Sequence, residues 1–158
     1  MATKIQELIQ KSGIITDLKC ADKFEAISTM TRFLCSVNGL PNAEEAAARI
    51  IEREREMSTG IGLGIAIPHA RLAGIDRLYM VAARSNGGIE FNSLDEQAVN
   101  LIFVMVSPES TSTEHTQALS ALSRIMSYED VRTNLMQAGT PEEFAEVIAA
   151  AENKYIEA

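Results

Sequence analysis

Leu101-Ile102-Phe103-Val104-Met105-Val106 is apolar at every position, and no other stretch restricts the fold as strongly. A strand with one solvated face alternates apolar and polar residues, so an uninterrupted apolar run of this length belongs at the centre of a sheet covered on both faces. Extending it back to Val99 brings in the polar Asn100 and still leaves it far short of the ~20 residues a membrane span requires. The cover must therefore come from the chain's own helices.

The sequence announces those helices by their caps. Asp22 followed by Glu25 resembles a capping box, and Phe24, Ile27, Met30, Leu34 and Val37 recur at helical spacing until Asn38-Gly39 stops the pattern. Asn42 with Glu45 repeats the signature and opens a helix through Ala46, Ala47, Ile50 and Ile51 that should end near Glu56. Thr140, Pro141 and Glu143 start a late helix through Phe144, Val147 and Ile148. After Ser107-Pro108 the polar loop ESTST leads into a further helix carrying Ala118, Leu119, Leu122, Ile125 and Met126.

Between the helices the period changes. Gly64–Ile67, Leu78–Ala83 and Asn100–Val106 read as strands, and Asn86-Gly87-Gly88 reads as a hairpin turn into a short segment around Ile89 to Phe91. The expected fold is α/β, a single mixed β-sheet flanked by helices on both faces, in one domain spanning residues 1–158.

Charge narrows the partners. Lys and Arg number 14 against 22 Asp and Glu, a net charge of −8, which disfavours nucleic acid and anionic membranes and favours proteins with basic docking surfaces. The N-terminus, MATKIQELIQK, has no signal-peptide apolar region, so a cytoplasmic protein without membrane insertion is expected. Cys20 and Cys35 form no C-x-x-C pair and read as reduced thiols rather than a disulfide.

The candidate chemistry gathers at STGIGLGIAIPHAR, residues 58–71. Gly60, Gly62 and Gly64 suggest a nucleotide loop, but the last small residue of the dinucleotide fingerprint and the Gly-Lys-Ser/Thr end of a P-loop are both missing. The glycines then serve close backbone packing or positive φ. Pro68 should stop the strand and leave His69 at a sheet end, where open α/β sheets often carry sites. There a largely neutral imidazole is either a structural residue or a nucleophile. His115, the second of two histidines, falls in the first turn of a predicted helix; it is either a solvated residue beside Glu114 or part of an anion site. Arg53, Arg55 and Arg71 are either solvated charge or a guanidinium clamp on phosphate oxygens. Two histidines without H-E-x-x-H, H-x-H or C-x-x-C spacing argue against a metal site, and the absence of G-x-S-x-G argues against a serine hydrolase.

The run R-E-x-x-x-S-T-G from Arg53 to Gly60, then IGLGIAIPHAR, VNLIFVMVSP and the helix with His115 and LSALSRIM, resembles the fructose/mannitol-type enzyme IIA domain of the bacterial phosphotransferase system, over about residues 5 to 150. The resemblance implies that His69 accepts a phosphoryl group from the histidine-containing phosphocarrier protein and passes it to a cysteine of a IIB domain. It implies that His115 orients or stabilises that group and that Arg53 is the arginine near the site, with no metal or bound cofactor. Leu63 departs from the Asn or other polar residue of many relatives and Thr116 from the usual Leu; the first bears on hydrogen bonding beside the site, the second on helix packing.

Two functions share this chemistry. One is a carrier in sugar uptake supplying a IIB protein. The other is a regulatory module, like the nitrogen-related IIA proteins, whose phosphorylation selects its target protein. The chain carries no IIB segment or membrane domain beside it, which tilts the expectation to the regulatory branch.

Overall fold

A computed structural model describes residues 4–110 and 113–156. The chain runs through α1 (Ile5–Leu8), a short 3-10 turn (Lys11–Gly13), β1 (Ile14–Ile15), α2 (Lys23–Asn38) and α3 (Ala43–Glu56). Then come β2 (Gly60–Gly62), β3 (Ile65–Ala66), β4 (His69–Leu72), β5 (Tyr79–Ile89) and β6 (Val99–Pro108), followed by α4 (Thr113–Met126), α5 (Glu129–Gln137) and α6 (Pro141–Tyr155). The described strands form one mixed sheet in the order β1-β5-β6-β3-β2, with β4 also paired to β6. β6 lies parallel to β3 and β4 and antiparallel to β5.

The all-apolar run does what its composition requires. Leu101, Phe103 and Met105 enter a core under α1, α4, α5 and α6. Ile102, Val104 and Val106 enter a second core under α2 and α3. Successive side chains of a strand point to opposite faces, so one hexapeptide anchors both layers. At ~25 cal/mol per Å2 of apolar surface removed from water, each fully buried large side chain contributes about 1.5–3 kcal/mol, and all of these are 2% exposed or less. Among the described residues no helix is long and apolar enough to cross a membrane.

The caps are mostly as the sequence signals. Asp22 accepts from Glu25 N, Gly39 ends α2 in the left-handed conformation, and Thr140 accepts from Glu143 N with Pro141 in the first turn of α6. Asn42 differs. It stands at φ 63° with no side-chain cap bond, so α3 starts from a left-handed turn, a conformation Asn tolerates better than most residues.

Two expectations about the strands fail. Asn86-Gly87-Gly88 is no hairpin turn: β5 continues through it, and the register slips from Arg84↔Leu101 to Ile89↔Val99, the mark of a bulge that absorbs the extra residues. The reversal into β6 lies beyond Ile89, where Asn92 and Glu96 take positive φ. The Pro68 expectation fails only in its second half: the strand does stop ahead of Pro68, at Ala66, but His69 is not left at a sheet end, because the chain resumes as β4 against the same strand, with His69 opposite Met105.

Candidate active site

The site is assembled from the loop before β3 outward. Glu54, in the last turn of α3, has a fully buried side chain that accepts hydrogen bonds from Thr59 N at 3.0 Å and from the Thr59 hydroxyl at 2.5 Å, and it pairs with Lys23 Nζ at 3.3 Å. Lys23 Nζ and the Ser58 hydroxyl both donate to the carbonyl of Phe91. This explains why Arg-Glu precedes Ser-Thr-Gly: the glutamate folds the chain back onto its own helix end. Gly60 then passes so close to Ser93 that a Cβ would lie 2.1 Å from its hydroxyl. Gly62, Leu63 and Gly64 all take positive φ at the β2–β3 reversal. The glycines are scaffold, as their missing nucleotide-motif partners suggested.

The strand break at Pro68 sets the chemistry of His69. Ile67 N donates to Thr59 O at 3.1 Å, and the Ile67 carbonyl lies 2.7 Å from His69 Nδ1. A carbonyl only accepts, so Nδ1 carries the proton and Nε2 is left with its lone pair. Burial, above all, and the nearby Arg53 and Arg71 hold the ring below its ordinary pKa, against the opposing pull of the Ile67 bond and Glu54. The ring is therefore neutral near pH 7 with a defined tautomer.

His115 arrives from the other layer. It is the third residue of α4, 7% exposed, and its Nδ1 lies 2.5 Å from Ser107 Oγ of β6. Its ring meets that of His69 edge-on, with centroids 5.2 Å apart and planes inclined by 66°. Burial first, then Arg71 and His69, push its pKa down to about 4. Both rings share a cleft of about 470 Å3 whose walls also include Arg49, Glu52, Arg53 and Arg71. α3 packs in one core and α4 in the other, so the cleft opens at the seam between the two helical layers.

Of the residues singled out by sequence, His69, His115, Arg53 and Arg71 come together. Arg55 does not; its guanidinium lies 5.3 Å from the centre of the Phe24 ring. Leu63 is 56% exposed at the β2–β3 turn, where its N–H donates to Asp95 at 2.9 Å, and it is not among the residues lining the cleft. Thr116 is exposed on α4. Sequence reasoning missed Ser107, whose apolar neighbours disguise it as a strand end, and Glu54, whose burial no charged residue advertises. Among the described residues no group of three or more His, Cys, Asp or Glu is placed to hold a metal ion, and Cys20 and Cys35 are free thiols.

Comparison with known proteins fits this geometry. The fructose-specific EIIA component of Haloferax volcanii is 34% identical over 129 residues, which cover 82% of this chain and 84% of that one. The fructose-specific EIIABC component of Bacillus subtilis is 33% identical over 145 residues, 92% of this chain but only 23% of that longer protein. Nitrogen regulatory protein IIA-Ntr from Neisseria meningitidis superimposes with a TM-score of 0.85 at 29% identity, covering 91% of this chain and 98% of its own. IIA mannitol from Escherichia coli, at 23% identity and a TM-score of 0.73 over 87% of this chain and 96% of its own, shares the fold. Residues 7–151 match the family described as "Phosphoenolpyruvate-dependent sugar phosphotransferase system, EIIA 2". With both layers, the broken edge strand and the paired histidines accounted for inside that span, the chain belongs to the type 2 EIIA family of the phosphotransferase system.

Proposed function

We propose that this phosphotransferase component carries its phosphoryl group on Nε2 of His69, taking it from the histidine-containing phosphocarrier protein in the cytoplasm and acting in a nitrogen-related regulatory branch. The supporting observation is the hydrogen bond from His69 Nδ1–H to Ile67 O, which leaves Nε2 as the ring's nucleophilic atom in a cleft walled by arginines. The Nε2 lone pair forms a bond to phosphorus as the donor's phosphorus–nitrogen bond breaks, and the departing electron pair stays on the donor histidine. The three equatorial oxygens are met by Arg53 and by His115, so catalysis comes from positioning and charge neutralisation. Nothing in the transfer between two ring nitrogens calls for a metal or a bound cofactor.

The regulatory branch is supported by the closer superposition on the Neisseria nitrogen regulatory protein. Sugar uptake, with onward transfer to a IIB cysteine, is the second reading, favoured by 34% identity to a fructose-specific EIIA component. Incubating the protein with phosphoenolpyruvate, the general phosphotransferase enzyme and the phosphocarrier should add one acid-labile phosphate to the intact mass. No gain would sink both readings, and a His69→Ala variant that still gained it would move the acceptor elsewhere. Rapid discharge onto a sugar-specific IIB protein selects uptake; a long-lived phosphoprotein with state-dependent partners selects regulation.

A further inference from the structure

We infer that Ser107 is a positioning residue that fixes His115 in the Nε2–H tautomer, making His115 a hydrogen-bond donor to the phosphoryl oxygens rather than a base. The inference rests on His69 as the phosphoryl acceptor for its functional half only. Ser107 lies on β6 opposite Arg71 of β4, on the face that Met105 and Phe103 present to α4, and it is fully buried. Its hydroxyl lies 2.5 Å from His115 Nδ1, and among the described residues that nitrogen is its bonded partner.

The direction of the bond follows from what each group needs. Were Nδ1 the donor, the serine O–H would be left, among the described residues, without a bonded acceptor in a buried sheet–helix interface, an arrangement that buried polar groups avoid. With the hydroxyl donating, Nδ1 accepts, the neutral ring carries its proton on Nε2, and both partners are satisfied. Nε2 lies across the ring from the serine, so it is the atom left for the cleft that His115 lines. The two histidines are thereby held in opposite tautomers: His69 keeps its proton on Nδ1 and offers a lone pair, while His115 keeps its proton on Nε2 and offers a donor. A His115 in the other tautomer would place a second lone pair against the transferred group's oxygens and repel them.

Long-range proton–nitrogen spectra of the nitrogen-15-labelled protein at neutral pH read the tautomer of each ring. The wild type should show His115 protonated at Nε2 and unprotonated at Nδ1; the reverse assignment overturns the inference. Ser107→Ala should shift His115 toward a mixture of tautomers, whereas Ser107→Thr, which keeps the hydroxyl, should retain the wild-type signature. An unchanged His115 spectrum in a folded Ser107→Ala protein also overturns it. Should Ser107→Ala fail to fold, the wild-type and Ser107→Thr spectra still decide. Discharge of phosphorylated Ser107→Ala onto an acceptor should slow about tenfold, the loss of roughly one charge-assisted hydrogen bond, with Ser107→Thr within about threefold of wild type. Equal rates for all three would remove the functional role even with the expected spectra. Failure of the wild type to take up phosphate would overturn the carrier reading, and the ring spectra would then decide by themselves whether Ser107 sets the His115 tautomer.

Discussion

Replacing Glu54 by Gln separates the charge of the buried Lys23–Glu54 pair from its shape. The two side chains are 11% and 0% exposed, and the carboxylate accepts from both the N–H and the hydroxyl of Thr59. Glutamine matches it in volume and, with its carbonyl at the Oε2 position, still accepts from Thr59 N and Lys23 Nζ, so what is removed is the counter-charge of Lys23 together with the Oε1 acceptor of the Thr59 hydroxyl. Breaking one side of a buried pair costs ~3–5 kcal/mol; the small exposure of Lys23 lets water reach the ammonium and favours the lower figure. With ~2.1 cal/mol/K of unfolding entropy per residue over 158 residues, roughly 0.33 kcal/mol/K, a loss of ~3 kcal/mol lowers Tm by about 9 °C. Scanning calorimetry and urea unfolding measure it. Adding Lys23→Met should return half or more of the loss, since removing both charges leaves no buried ion. A single variant within ~1 kcal/mol of wild type, or a double variant that loses the sum of the two singles, would refute the claim that this pair holds the turn ahead of the site.

Other consequences are as direct. For His115 the folded pKa of about 4 lies below the unfolded value of 6.5, so between them the unfolded chain binds more protons and stability rises with pH; this share is fully present above pH ~6.5 and lost by pH ~4. The stability of the wild type relative to the non-titrating His115→Gln should therefore fall as the pH is lowered from ~6.5 to ~4, read from the urea midpoints of the two proteins. Leu63→Asn should raise Tm by about 2–3 °C, because Leu at φ 61° carries ~1 kcal/mol of left-handed strain that Asn tolerates, and phosphate uptake should be unchanged in the mass assay. His115→Ala should still acquire the phosphate but transfer it onward far more slowly, checked by the decay of the phosphoprotein after a IIB acceptor is added.

The sequence carried the layered fold because six apolar residues in a row can be satisfied only by cover on both faces, and the caps at Asp22, Gly39 and Thr140 mark the helices that supply it. α5 was invisible because it buries only Val131 and Leu135, too few for a period. It is held instead by Arg84, which donates from β5 to the carbonyls of Leu135 and Ala138, a contact spanning about fifty residues that no local pattern encodes. Asn86-Gly87-Gly88 misleads for a related reason: a bulge and a turn draw on the same residues, and only the partner strand distinguishes them. His69 and His115 were legible as the chain's two imidazoles flanking a predicted sheet. Their opposed hydrogen bonds were not, since one partner is a main-chain carbonyl and the other a serine that reads as the tail of a strand.

The bond from His69 to a main-chain carbonyl also bears on how much transfer potential a phosphoryl group would keep. An imidazole backed by a carboxylate gains basicity, because the anion favours the positively charged ring. A carbonyl fixes the same orientation with no net charge, so it raises the ring's basicity less than an anion would, and burial outweighs it here. The ring would then remain a good leaving group once phosphorylated, and exchange with another histidine of similar basicity would run close to thermoneutral. Breaking the edge strand at Pro68 frees that carbonyl from the ladder, so a lost rung of sheet is what would keep the phosphoryl group ready to depart.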